Sequence, residues 1–481
     1  MGNGVEPEGA PGKPAARRSA RDRLGLPQLS GHRPLAAALL VDSLGDGLFV
    51  PFAIVYFLHT THLPLQTIGL GLSAAGFLAL PSVLLAGLLI DRVPASAVVI
   101  AANLTSGIAF GCYLVVAHVW QLVLFALLAS VGGRIYWTAY LALTSDAFDG
   151  NDRSRWFAFQ RAVRNAGFGI GGVLGAVAVS AGSEAGYHAV AALNAASYLA
   201  AAALVLRWSR RPGATSPRRT TAHQRPIPAV RARPRAARPL ATARPLASAR
   251  PLATARPFAS ARLSPAGARG GRGYRSALTD VPFMLLAATN LLFVLCSLVL
   301  DVLLAVFLVR DLHEPLWLCG VLFGVNTVLV VLGQTTLSAA VSRLRPARVL
   351  QLSAAVWAVS FLLLWLLGSV PRAAVIPGLF VAIVIFTTAE MIQGPALNDL
   401  VVTAASPALL GRYLGAFQLS WALGRAAAPA LFSWLLGAGA DLPWAALALA
   451  CIVWILVLGR LGTRLRGQAG DYGSSVQRGP E

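Results

Sequence analysis

Two aspartates, Asp42 and Asp46, stand four residues apart in an otherwise apolar stretch near the start of the chain. Residues at this spacing lie on one face of a helix, so both carboxylates would point to the same side. An ionisable group in the middle of a membrane-spanning helix costs about 2.5–3.5 kcal/mol on insertion scales, and so needs a reason to be there. The spacing therefore predicts a pair of carboxylates that bind and release protons.

Other charged residues lie deep in apolar segments further along the chain. They are Arg134, Asp301, Glu390 and Arg425. A carboxylate in a low-dielectric cavity holds its proton more tightly, and a nearby arginine opposes this effect. Together with the aspartate pair, Arg134 and Glu390 are the candidates for proton coupling. The alternative is that these charges pair with one another and hold the helices together.

Polar and aromatic residues in the same segments are candidates to line a substrate cavity. They are Phe49, Tyr136, Tyr140, Gln393 and Asn398. An aromatic, mostly apolar lining suits a lipophilic or cationic molecule, because aromatic faces bind cations. Tyrosine and tryptophan also collect at membrane interfaces without such a role, which is the alternative for aromatic residues of this kind.

The composition explains why charges inside these segments matter. Hydrophobic residues make up 56% of the 481 residues and charged residues only 12%, with a mean hydropathy of +0.66. Soluble domains carry about 25% charged residues, so this chain has too little charge to cover a surface that faces water. A lipid bilayer removes that requirement. We therefore expect an integral membrane protein.

Twelve stretches are apolar and long enough to span a bilayer as helices, which takes about 20 residues each. They lie at 35–58, 66–90, 95–117, 119–143, 157–180, 186–207, 281–309, 316–340, 347–369, 372–396, 409–437 and 441–463. Six precede an arginine-rich stretch and six follow it. The predicted fold is an all-α membrane protein of twelve transmembrane helices in two six-helix halves, at 34–207 and 280–463.

The remaining segments are predicted to be disordered: an N-terminal tail at 1–33, a linker at 208–279 and a C-terminal tail at 464–481. The linker supplies most of the net charge of +21, since 16 arginines and no acidic residue lie between Trp208 and Arg275. Part of it repeats Ala-Arg-Pro-Leu-Ala-Thr/Ser, and a proline every sixth residue prevents a regular helix. The basic charge therefore belongs to a linker rather than to a nucleic-acid-binding surface.

Arginines in the short loops predict the orientation. If the N-terminus is cytoplasmic, the opposite face holds only Arg310 and Arg372, and the other loop arginines lie in the cytoplasm. Arginines of short loops favour the cytoplasmic side, so both termini are predicted to be cytoplasmic. The preference for arginine and alanine is typical of a GC-rich bacterial genome. We therefore expect the bacterial inner membrane.

The two halves also resemble each other in sequence. Residues 69–95 align with 320–346 without a gap, and residues 155–160 resemble 412–418 with a gap of one residue. Parallel repeats of this kind occur in transporters, with the substrate site between them near the middle of the bilayer.

Several motifs are similar to those of a known family. The run from Gly87 to Arg92, Gly-Leu-Leu-Ile-Asp-Arg, resembles the first half of the signature between helices 2 and 3 of the Major Facilitator Superfamily. Pro94 and the residues after it depart from the basic second half. Leu44-Gly45, five residues and then Pro51 resemble a helix-1 motif of its twelve-helix drug:proton antiporters. Arg134 resembles the helix-4 arginine that this family associates with proton coupling.

The resemblance assigns roles to two further groups of residues. The helix-5 antiporter motif of the family corresponds to Gly167, Gly171, Gly172 and Gly175, with Gly172 in place of the usual proline. A gate at the cytoplasmic face corresponds to Gly87, Asp91, Arg92, Arg155 and Arg412.

The resemblance implies a secondary transporter that works by alternating access. With the charges inside the membrane, we expect proton-coupled export of a small lipophilic or drug-like molecule by a monomer in the lipid bilayer. Transport of a polar metabolite is one alternative, and a transport-inactive sensor or scaffold is another. The sequence contains no metalloprotease or phosphate-binding motif, so we expect no enzyme activity, no cofactor, no metal site and no nucleic-acid partner.

Overall fold

The computed structural model of the protein describes residue 27 and residues 29–148, 150–180, 182–211, 281–341, 343–404 and 410–476. Within these ranges the chain is helical and contains no strand. The predicted linker lies outside the described residues from 212 onwards, as do the tail predictions for residues 1–26 and 477–481.

The first half of the chain forms eight helices separated by short turns. They are α1 (Arg33–Phe49), α2 (Ala53–Thr61), α3 (Leu65–Leu78), α4 (Ser82–Arg92), α5 (Ala95–Cys112), α6 (Val119–Ala147), α7 (Gly150–Ser180) and α8 (Glu184–Ser209). A 3₁₀ turn, Val50–Phe52, joins α1 to α2, and a second, Tyr113–Val115, follows α5.

The second half forms seven helices. They are α9 (Val281–Leu298), α10 (Leu304–Arg310), α11 (Trp317–Val341), α12 (Pro346–Leu366), α13 (Arg372–Ala404), α14 (Leu410–Ala438) and α15 (Leu442–Val476). A π-helical turn, Val299–Leu303, connects α9 to α10.

These helices make twelve spans, because α1–α2, α3–α4 and α9–α10 each form one span with a break. By length and apolar composition, ten helical segments of the described chain can cross a membrane. The broken pair α3–α4 and the helix α14 complete the twelve that the sequence predicts.

The structure differs from the sequence prediction at the breaks and at several helix ends. The single second span predicted at 66–90 is interrupted after Leu78 by a turn that contains Pro81, since proline lacks the N–H that a continuous helix needs. Helices α7, α13 and α15 extend beyond the predicted spans, to Gly150, Ala404 and Val476. Hydropathy limits the predicted spans to the apolar residues, whereas the helical hydrogen bonds continue into polar sequence.

The two halves pack in the same way. In the first half α1 lies against α7, α5 against α6 and α8, and α3 against α6. The corresponding helices of the second half make the corresponding contacts: α9 with α14, α12 with α13 and α15, and α11 with α13. The six-plus-six repeat is therefore a structural repeat.

The contacts between the halves also follow this repeat. Helix α3 packs against α14, and α7 packs against α11, which is the same contact with the halves exchanged.

We call the end of the bundle where α1 begins the near end, and the opposite end, where α2 ends and α3 begins, the far end. Ser73 accepts a hydrogen bond from the Ala430 N–H at 2.8 Å, in the far half of the bundle.

An aromatic cluster around His32 packs the helix ends together at the near end of the first half. The Trp208 indole Nε1 donates to His32 Nδ1 at 3.2 Å, and the His32 ring lies 4.5 Å from Phe148, which stacks on Trp156. An indole nitrogen only donates, so His32 Nδ1 must carry no proton. Burial lowers the pKa of His32 below its ordinary value of 6.5.

Candidate functional site

The aspartate pair on α1 lies at the centre of the site. Asp42 is 3% exposed, and Asp46, one turn further along α1, is half-buried. The Tyr198 hydroxyl on α8 donates to Asp46 Oδ1, with 2.6 Å between the oxygens. Asp42 Oδ1 is buried without a hydrogen-bond partner among the described residues. The two carboxylates that the spacing places on one helical face therefore share one buried location.

Arg164 on α7 is the cation whose charge acts on both aspartates, Asp42 and Asp46. Its guanidinium lies 3.9 Å from the ring centre of Trp137 on α6, a cation–π contact that holds it in place. This residue is not among those predicted from the sequence. Arg164 is one of two arginines within the predicted fifth span, with Arg161, so the rule that selected Arg134 also applies to it.

The second half contributes Asp301 and Arg425. Asp301 is half-buried in the π-helical turn between α9 and α10, and such turns are frequent at functional sites. Arg425 on α14 is exposed, and its charge acts on Asp301 and, across the boundary between the halves, on Asp46. The centre of the molecule therefore contains charges from both halves.

Glu390 on α13 lies in a polar group within the second half. Asn326 Nδ2 on α11 donates to Glu390 Oε2 at 3.1 Å and to Thr387 Oγ1 at 3.0 Å. Glu390 is half-buried, and its charge interacts with that of Asp301. This carboxylate is therefore solvated by an amide rather than paired with a cation.

Arg134 on α6 is half-buried and donates from Nη2 to the Gly76 carbonyl oxygen at 3.0 Å. Glu314 and Arg372 form an ion pair within 4 Å at the far end. None of the central carboxylates or arginines has such a partner among the described residues. Arg134 instead links α6 to α3 through the Gly76 carbonyl.

The aromatic cavity candidates are mostly buried in packing. Phe49 is 2% exposed and lies among the rings of Tyr56, Phe110 and Tyr113. Tyr136 and Tyr140 are also buried, in the core between α1, α5 and α6. Gln393 is half-buried on α13. The side chain of Asn398 lies outside the described residues.

The helix-5 glycines pack one helix backbone against another. A methyl group added at Gly167, Gly171 or Gly175 would overlap α1, at Ser43, at the Leu44 carbonyl and at the Leu48 carbonyl respectively. Gly169 and Gly172 face α11 instead, at Thr327 and Phe323. Helix α7 therefore has one glycine face against its own half and another against the other half.

The gate candidates lie at the near end. Asp91 and Arg92 are exposed at the end of α4, and Arg155 is half-buried in α7. A methyl group added at Gly87 would meet no atom within 4 Å. The side chain of Arg412 lies outside the described residues.

The close contacts between the halves lie in the far half of the bundle. They include Gly69 with Pro429, Gly320 with Ala176, and the 3₁₀ turn Val50–Phe52 with the π turn Val299–Leu303. At the near end Gly87, and Gly394 on α13, are each surrounded by open space. The two halves are therefore in close contact in the far half of the bundle in this conformation.

No group of three or more His, Cys, Asp or Glu side chains arranged to hold a metal ion occurs among the described residues. The central arrangement is instead suited to proton exchange and to binding a solute by charge. It brings together Asp42, Asp46, Asp301 and Glu390 with the three arginines at 134, 164 and 425.

Comparisons with known proteins agree with this architecture. The sequence profile described as Major Facilitator Superfamily matches residues 35–429. A search of curated protein sequences finds no match.

Solved structures of similar fold cover nearly the whole chain. The crystal structure of the nucleoside transporter NupG is 14% identical, with a TM-score of 0.61, and the match covers 90% of this chain and 98% of that one. A POT family transporter in complex with 5-aminolevulinic acid is 13% identical, with a TM-score of 0.66 and coverage of 92% and 99%. At these identities the likeness establishes the shared fold.

Proposed function

The chain belongs to the Major Facilitator Superfamily, and we propose that it is a proton-coupled secondary transporter in which the two halves rock about the central charges. It is a multi-pass membrane protein and a transporter rather than an enzyme. The near end is cytoplasmic in this proposal, because the short-loop arginines lie there. The far end then faces away from the cytoplasm, and a monomer in the bacterial inner membrane is sufficient.

The observation that carries the proposal is the aspartate pair. Asp42 and Asp46 are charged groups in a low-dielectric region without an ion pair within 4 Å among the described residues. The ionised form of such a group is costly, and binding a proton removes the cost. Arg425, which acts on Asp46, belongs to the other half. When the halves rock, the distance between Arg425 and Asp46 changes. The aspartates then take up a proton in the conformation where Arg425 is far and release it where Arg425 is near.

Export of a small lipophilic or drug-like molecule is the function that the helix-1 and helix-5 motifs favour. The second candidate, transport of a polar solute, has a specific observation in its favour. The rings of Phe49, Tyr136 and Tyr140 are buried in packing, whereas Arg425 and Glu390 are accessible. A cavity with charged rather than aromatic walls suits a polar or charged solute.

The experiment measures proton movement in everted membrane vesicles that contain the wild type, Asp46→Asn or Asp146→Asn. Asp146 is an exposed aspartate at the near end of α6, so the last variant is the matched control. The vesicles are energised, and lipophilic cations, antibiotics, carboxylic acids, nucleosides and dipeptides are added in turn. We expect at least one compound to release protons with the wild type and the control, but not with Asp46→Asn.

Equal responses of all three proteins would contradict a coupling role for Asp46. If no compound moves protons while the inserted protein remains folded, proton coupling is overturned, and the transport-inactive sensor becomes the better interpretation.

A further inference from the structure

Two arginines from opposite halves meet at one helix crossing. Arg134 on α6 donates to the Gly76 carbonyl of α3 at 3.0 Å. Gly76 packs so closely on α14 that an added methyl carbon would lie 3.0 Å from the Ala426 Cα. Arg425 directly precedes Ala426. The contact between α3 and α14 therefore brings Arg134 and Arg425 close enough for the charge of Arg425 to act on Arg134.

The neighbours of Arg425 show where its side chain points. Gly424 packs against Val294 of α9, and Ala426 packs against Gly76 of α3. The residue between them therefore emerges between α9 and α3, towards the centre of the molecule. Its side chain is exposed, and its charge acts on Asp46 and Asp301. Arg425 thus reaches the accessible central space rather than the packed core.

Neither guanidinium has an ion-pair partner within 4 Å in the described chain. Like charges held together repel, and arginine stays charged at every physiological pH. An arginine in a membrane interior faces a partner or a water-filled cavity. Arg425 is exposed and Arg134 is half-buried, and neither is neutralised by an ion pair within 4 Å in the described chain, so an anion from solution would complete the site.

We infer that Arg134 and Arg425 form a subsite for an anionic group, a carboxylate or a phosphate, of the transported solute. Guanidinium groups bind both kinds of anion through paired N–H donors. Because the two arginines belong to different halves, the bound anion links the halves at the centre. The inference rests on the proposed transport function for its meaning, but the subsite itself is testable without proton coupling.

The test measures the electrostatic potential beside Arg425 with charged thiol reagents. Ala422→Cys places a thiol one turn before Arg425 on the accessible side of α14, since Ala422 is half-buried there. Cys112→Ser removes the half-buried native cysteine, and the three other cysteines are buried. The rate with anionic methanethiosulfonate ethylsulfonate is divided by the rate with its cationic trimethylammonium analogue. Each rate is first normalised to that of a free thiol.

We expect the ratio to exceed one and to fall by about threefold or more in Arg425→Gln and in Arg134→Gln, because each removes a nearby positive charge. Arg310→Gln, which removes an exposed arginine at the far end, should leave it unchanged. Arg425→Lys keeps the charge and should keep the ratio, which separates charge from loss of folding. A ratio below one, or a ratio unaffected by Arg425→Gln, overturns the inference.

A protection assay identifies the anion. Succinate, inorganic phosphate and tetraphenylphosphonium are each added before the reagent. Protection by succinate alone assigns a carboxylate, and protection by phosphate alone assigns a phosphate. Protection by tetraphenylphosphonium alone, or by none of the three, overturns the subsite. None of these measurements needs a proton gradient. If the thiol assay shows the anion preference but the vesicle assay shows no proton movement, the subsite is supported and proton coupling is contradicted.

Discussion

The two halves of the molecule share a scaffold but differ in the chemistry of their central helices. In the first half, α1 carries two aspartates and breaks at the 3₁₀ turn Val50–Phe52. In the second half, the corresponding span carries one aspartate, Asp301, within the π turn Val299–Leu303. The two breaks contact each other across the boundary.

The environments of the carboxylates differ as well. The first half supplies its aspartates with a cation and a hydroxyl of its own, Arg164 and Tyr198. The second half gives Glu390 an amide donor, Asn326, and leaves Arg425 accessible. From this asymmetry we expect proton binding at the aspartates of the first half, and solute contact at Arg134 and Arg425, one from each half.

The largest expected difference between the halves concerns proton coupling. Asp46→Asn should lower proton-driven transport by at least about 100-fold, the loss typical of removing a proton-transfer group, because an amide cannot carry the proton. Asp301→Asn should lower it by about tenfold or less. Both variants should retain solute counterflow, which needs no net proton movement. Equal losses in the two variants would contradict the assignment of protons to the first half.

The next difference concerns packing. An added methyl at Gly171 overlaps the Leu44 backbone carbonyl, whereas one at Gly424 meets side-chain atoms of Val294, which can shift more easily than a helix backbone. Gly171→Ala should therefore destabilise the protein by about 1–3 kcal/mol, as overpacking does, and Gly424→Ala by less. Thermal unfolding of the two purified variants measures the difference. A larger loss for Gly424→Ala would show that the second half is the more rigid one.

A smaller difference concerns the carboxylate hydrogen bonds. Tyr198→Phe removes the 2.6 Å bond to Asp46, and Asn326→Ala removes the 3.1 Å bond to Glu390. Hydrogen bonds to charged groups contribute about 1.5–3 kcal/mol, so Tyr198→Phe should slow proton-coupled transport about tenfold. Asn326→Ala should slow it less and should act mainly on the solute KM. Initial rates over a range of solute concentrations separate the two effects.

The smallest effect concerns His32. Its lowered pKa means that the folded protein binds this proton less readily than the unfolded chain. The contribution of neutral His32 to the free energy of unfolding is therefore complete above pH 6.5 and declines as the pH falls below 6.5 towards the lowered pKa. Protonation of His32 removes its hydrogen bond with Trp208, which should lower the free energy of unfolding by about 1 kcal/mol. His32→Gln keeps an acceptor that does not titrate, so its unfolding temperature should fall less than that of the wild type between about pH 7.5 and pH 5. An equal fall in the unfolding temperature of both proteins would show that His32 is not the source of this pH dependence.

The sequence predicts the fold almost completely, because a bilayer requires long apolar helices and the linker separates two sets of six. It also selects Asp46, since a charge in an apolar segment is visible without a structure. It does not indicate that the charge of Arg164 acts on that aspartate, because hydropathy does not reveal which helix faces which. The burial of Phe49 likewise depends on contacts between helices that are distant in the chain, whereas the break at Pro81 follows from the local chemistry of proline.

The two glycine faces of α7 have a consequence for genetics. One face, at 167, 171 and 175, joins the helix to its own half, and the other, at 169 and 172, lies against the opposite half. In a library of random mutants, we expect two classes of loss-of-function alleles in this helix, and the positions of the two classes should alternate along its sequence. Alleles of the first class remove the protein from the membrane. Those of the second leave a full complement of protein that no longer completes its cycle, and these are the alleles that second-site suppressors in α11 should restore.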